Sequence, residues 1–128
     1  MNPTRIFLGL SVLVWLGYGA YCFLFPETLT QAAGLVASTP TGLTELRAMY
    51  GGLQMGLGVI ALLALLREDL VRPALFALAT VSIGLFSTRL VGAVIDSGFS
   101  EYTNGALGFE FIASAAALTL FLKVERIN

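Results

Sequence analysis

Four long apolar runs dominate the chain, and short polar segments separate them. Ile6 to Phe25 carries no charge and stops at Pro26. A transmembrane helix needs about 20 mainly apolar residues, which this run supplies. A signal peptide would have an apolar region of only about 7–15 residues, closed by small residues. The length of the run, and the Pro26-Glu27 that follows it, favour a membrane span. Ala48 to Leu66 is a second uncharged run, with Gln54 its most polar residue, and Arg67-Glu68-Asp69 closes it. Its helix begins earlier, because Thr39-Pro40 or Thr41 can cap it. Threonine accepts from the free N–H groups of a first turn, and proline suits the first helical position. Pro73 opens a third helix in that same way, and Ser97-Gly98 ends it with Gly98 as the expected C-cap. A fourth runs from about Asn104 to Leu122 and ends in Lys123-Val124-Glu125-Arg126. The predicted spans are 6–25, 43–66, 73–95 and 104–122, in a single domain covering 1–128.

The segment between the first two spans is too short to cross a membrane. Leu29, Ala32, Ala33 and Val36 nevertheless recur at helical spacing. The pattern therefore predicts an all-α membrane protein: a four-transmembrane-helix bundle with a short interfacial helix between helices 1 and 2.

Composition agrees with the pattern. Of 128 residues, 57% are hydrophobic and 12% charged, against about 25% charged in soluble proteins. A soluble domain this small could not bury so much apolar surface, and a disordered chain would be far more polar. The net charge is −1 with no basic block, so nucleic acid is not an expected partner. The chain has one cysteine and no histidine. That removes an internal disulfide, metal sites built on histidine or paired cysteine, and Ser-His-Asp or Cys-His catalysis. No metal or cofactor is expected.

Orientation follows the basic residues in the loops. Arg5, Arg67, Arg72, Lys123 and Arg126 fall on one side, and the loops of the other side, about 26–42 and 97–103, have none. This predicts a bacterial inner-membrane protein with both termini in the cytoplasm.

Several polar residues interrupt the spans. Glu45, Arg47, Tyr50 and Gln54 lie on helix 2, Arg89 on helix 3, Glu110 on helix 4 and Tyr18 on helix 1. A charge at the bilayer centre costs about 2.5–3.5 kcal/mol even on insertion scales, so such residues face inward and pair. Arg89 lies about six residues before the outer end of helix 3, and Glu110 about six after the start of helix 4. At 1.5 Å per residue both are roughly 9 Å deep, which predicts an Arg89–Glu110 ion pair. Regular helical geometry would put Arg47, Tyr50 and Gln54 on one face. All these polar groups belong to the outer half, whereas the cytoplasmic half offers only Leu, Ala, Val and Ile. The outcome is a polar cup rather than a continuous path. Gly52 and Gly56 form a GxxxG pair, which offers a face for a homo-oligomer or, equally, for close packing within the chain, and leaves room for a ligand chain.

The string Glu45-Leu46-Arg47-Ala48-Met49-Tyr50-Gly51-Gly52-Leu53-Gln54-Met55-Gly56-Leu57-Gly58, with Arg89-Leu90-Val91-Gly92 and Glu110, resembles the DUF4345 family. These are small bacterial four-helix membrane proteins, loosely DoxX-like in architecture. The resemblance implies four helices and supplies neither substrate nor catalytic residues.

The favoured function is binding of an amphipathic small molecule: a membrane lipid, isoprenoid or quinone. Its head group would meet Glu45, Arg47, Tyr50, Gln54, Arg89, Glu110 and Tyr18. Guanidinium groups would grip an oxygen through their fork of donors, and the glycine groove would take the tail. The alternatives are a membrane-embedded enzyme with Glu110 or Glu45 as acid/base, a proton-coupled transporter, and a structural partner subunit. The absence of a nucleophile constellation or phosphate loop leans against the enzyme.

Overall fold

The computed structural model describes residues 2–125, and every regular element among them is helical. The elements are α1 (Pro3–Leu24), α2 (Thr28–Ala33), α3 (Pro40–Leu66), α4 (Val71–Ile95) and α5 (Glu101–Glu125). The four long helices each have the length and apolarity needed to cross a membrane, so the chain is a multi-pass membrane protein. Large apolar side chains project outward along them, with Leu13 72%, Val94 64% and Ile112 69% exposed. That is costly in water and natural against lipid tails. Arg126, counted above among the basic residues, lies outside the described residues. The chain divides into two compact units, one ending at Glu68 and one starting at Asp69.

In the first unit the Asn2 side chain accepts from the Thr4 N–H at 3.0 Å, and Pro3 takes the first turn of α1. After Pro26 the short α2 forms. Its C-terminus is a left-handed Gly34 (φ 69°), and the Leu35 N–H returns to the Leu29 carbonyl at 3.2 Å. Leu29 is buried, but Val36 is 73% exposed, so the expected apolar stripe reduces to one anchoring residue. Of the candidate caps for α3, Thr39 serves: its hydroxyl accepts from the Gly42 N–H at 3.1 Å, with Pro40 behind it.

α1 and α3 run antiparallel, and each contains one wide turn of π-helix, Val12–Leu16 and Arg47–Gly52. An extra residue in a helical turn pushes backbone outward. A glycine on the opposite helix receives each bulge. A β-carbon at Gly58 would stand 2.6 Å from the Leu16 nitrogen in the first wide turn. One at Gly19 would stand 2.9 Å from the Gly51 carbonyl oxygen in the second, and 2.7 Å from the Met55 nitrogen. Gly51 itself abuts Phe23, its β-carbon position lying 2.8 Å from that of Phe23. The packed glycines are therefore Gly19, Gly51 and Gly58. Gly56 has no atom within 4 Å of its β-carbon position, and Gly52 has only the Arg47 carbonyl oxygen at 3.9 Å.

A 3-10 turn, Glu68–Leu70, precedes α4. The helix starts at Val71, so Pro73 is its third residue rather than its first. The exchange is harmless, because none of the first N–H groups has an intrahelical acceptor. At the other end Ser97, not Gly98, takes the left-handed position (φ 52°), and the Gly98 N–H returns to the Ala93 carbonyl at 3.0 Å. The Ser100 hydroxyl accepts from the Thr103 N–H at 3.1 Å and starts α5 at Glu101. α4 and α5 are antiparallel. Three contacts mark their seam: Arg89 with Glu110, Phe86 with Phe111 at 5.7 Å between ring centroids, and Phe76 with Phe121 at 5.7 Å. The Arg72 guanidinium lies 4.9 Å over the Phe121 ring.

Two outcomes follow for thermal unfolding in a fixed detergent. Gly58→Ala should lose about 1–3 kcal/mol, the usual cost of overpacking, whereas Gly56→Ala should leave the transition unchanged or raise it. Equal losses would contradict this packing. Ser97→Gly should stabilise by about 1 kcal/mol, because it removes a β-carbon from the left-handed region.

Candidate functional site

The second unit places a complete ion pair inside the membrane-spanning region. Arg89 Nε lies 3.0 Å from both Glu110 carboxylate oxygens, and Nη2 donates to Oε1 at 2.8 Å. The Glu110 side chain is 4% exposed and that of Arg89 28%. Phe86, one turn before Arg89, meets Phe111, the residue after Glu110, on the same seam. The two charges balance each other and both carboxylate oxygens accept hydrogen bonds, which is how a membrane segment tolerates two ionised residues. Arg89 and Glu110 thus meet, as their matching positions along the two helices predict.

The first unit uses arginine differently. Arg47 Nε donates to the Phe23 carbonyl at 3.1 Å. Phe23 lies in the last turn of α1, where carbonyls have no intrahelical donor, and a cation there also complements the helix dipole. At the opposite end of the hairpin Arg5 Nη2 donates to the Leu65 carbonyl at 3.4 Å, in the last turn of α3. Each long helix therefore carries an arginine early in its sequence that caps the end of the other. Sequence reading missed both caps, because the acceptors are backbone atoms about 24 and 60 residues away.

Arg47 is only partly satisfied by this contact. Among the described residues its two terminal nitrogens have no hydrogen-bond acceptor, and no carboxylate comes within ion-pair range of it. Glu45 is exposed in the second turn of α3 and makes no ion pair among the described residues. Tyr50 and Gln54 are partly buried, and Tyr18 is 39% exposed on α1. The expected alignment of Arg47, Tyr50 and Gln54 assumed a regular helix. Arg47–Gly52 is a wide π turn, so the side chains along this stretch are not spaced as in a regular α-helix. Near the end of α1, Tyr21 and Phe25 form a tilted ring pair at 5.5 Å. Both are about half exposed, as aromatic residues at a membrane boundary are.

Glu45, Arg47, Tyr50, Gln54 and Tyr18 thus belong to the first unit, and Arg89 and Glu110 to the second. Among the described residues no three Cys, Asp or Glu side chains assemble into a metal site.

The sequence model of DUF4345, described as a domain of unknown function, matches residues 3–121. The chain belongs to the DUF4345 family. The DUF4345 match takes in both hairpins, both π turns, the two capping arginines and the Arg89–Glu110 pair. No curated protein and no solved structure matches the chain.

The pair can be tested by a charge swap. Glu110→Gln or Arg89→Gln should each cost about 3–5 kcal/mol, the loss on breaking a buried ion pair. The double change Arg89→Glu with Glu110→Arg should recover most of it in unfolding experiments. Strictly additive losses would show that the two are not energetic partners.

Proposed function

We propose that this DUF4345 protein binds the head group of an amphipathic small molecule at the Arg47 end of its first hairpin. We place it in the bacterial inner membrane with both termini cytoplasmic, on the strength of the basic residues Arg5, Arg67, Arg72 and Lys123. The observation that carries the binding reading is Arg47. It is a charged residue in a membrane span, its guanidinium is fixed at one nitrogen by a backbone carbonyl, and its terminal nitrogens have no acceptor among the described residues. Tyr18, Tyr50 and Gln54 of the same unit supply neutral polar groups for the rest of a head group, and Glu45 adds an acceptor. The exposed face of Gly52 and Gly56 has room for an apolar tail.

The acid/base reading loses support at Glu110, whose two oxygens already accept from Arg89. The open glycine face favours one competing use, a homo-oligomer through Gly52 and Gly56.

Native mass spectrometry of the protein in mild detergent separates these uses. The binding reading expects a stoichiometric amphipathic adduct that Arg47→Ala abolishes at unchanged helicity. A monomer free of adduct overturns it, and a dimer that Gly56→Leu dissociates supports the oligomer instead.

A further inference from the structure

We infer that Arg47 recognises a phosphate oxyanion carried by a membrane lipid, an assignment that rests on the binding reading above and narrows it to one ligand class. Arg47 and Arg89, which lie beyond the first two turns of their helices, differ in what balances their charge. Arg89 has a buried carboxylate. Arg47 has a backbone carbonyl, which accepts a hydrogen bond but carries no net charge. The carboxylates nearest to it in sequence, Glu45 and Glu27, are exposed and make no ion pair among the described residues. A neutral acceptor such as a quinone carbonyl would occupy the terminal nitrogens and leave the charge unbalanced. An oxyanion does both at once, and the parallel donors of a guanidinium match two of its oxygens.

The geometry also bears on the level and the aim. The acceptor of Arg47 is in the last turn of α1, beside the half-exposed Tyr21–Phe25 pair. Helix ends bordered by such rings lie at the head-group level of a bilayer, where lipid phosphates are. Arg47 opens the π turn, and its Nε is pinned to Phe23. The fork is therefore held in place before a ligand arrives, which spares the ordering of a long flexible side chain.

The test is titration of delipidated full-length protein in nonionic detergent, read by native mass spectrometry. The probes are phosphatidylglycerol, diacylglycerol with the same chains, a quinone, oleate and inorganic phosphate. Phosphatidylglycerol should bind one to one, and about tenfold or more tighter than the neutral diacylglycerol and the quinone, as expected for a charge-assisted contact. Arg47→Gln should remove that preference and leave diacylglycerol binding unchanged. Lys123→Gln, a change of equal charge in the last turn of α5, should have no effect. If Arg47→Gln does not fold, Arg47→Lys keeps the charge without the fork and should lose part of the preference. The comparison of phosphatidylglycerol with diacylglycerol on the unaltered protein stands without any variant. A quinone or diacylglycerol binding as tightly as phosphatidylglycerol overturns the anionic class and leaves amphipathic binding in place. Equal binding of oleate overturns phosphate. Inorganic phosphate displacing the lipid at equal concentration overturns the lipid source. Binding by none of the probes overturns this inference, and a native mass spectrum of the protein before delipidation that is free of any adduct overturns the function on which it rests as well.

Discussion

A helix that ends inside or at the edge of a membrane leaves carbonyls without donors, and in lipid each must be satisfied by the protein itself. The first hairpin meets this demand with arginine. Arg47 reaches the Phe23 carbonyl at one end, and Arg5 reaches the Leu65 carbonyl at the other. Because α1 and α3 are antiparallel, the early part of each lies beside the end of its neighbour, and one device serves twice. The caps tie helix register to charge placement. Sliding either helix by a turn, about 5.4 Å, would strand both guanidinium groups.

The same hairpin depends on close backbone approach. Two π turns carry backbone beyond the normal helical radius, and Gly58 and Gly19 are the positions that receive it. The glycine interface and the wide turns are thus one feature. Without glycine opposite, each wide turn would meet a β-carbon at under 3 Å. The second hairpin has no such turn. Its helices are joined by the Arg89–Glu110 pair and by ring contacts along the seam.

These two ways of handling charge divide the polar residues by role. Glu110 is buried and engaged through both oxygens, so its chemistry is directed inward at Arg89. Arg47 is held at Nε by a backbone carbonyl, and its terminal nitrogens have no acceptor among the described residues. The proposed phosphate lipid is the group that would answer it in both charge and geometry.

Much of this was legible in residue order. Length, apolar runs and the shortage of charge determine a multi-pass helical membrane protein, because only that environment suits such a composition. Depth along two adjacent helices was enough to pair Arg89 with Glu110, since helical rise is constant. Thr39 was readable as a cap from local chemistry alone. Tertiary structure decided the rest. Within the first hairpin the close backbone approach is made by Gly19, Gly51 and Gly58, which residue order alone does not single out from the other glycines. No local propensity marks a π turn, which is held by packing against a neighbour. Nor does residue order show that Arg47 and Arg5 serve carbonyls far along the chain. Backbone acceptors are identical at every position, so only the folded chain decides which of them a side chain meets.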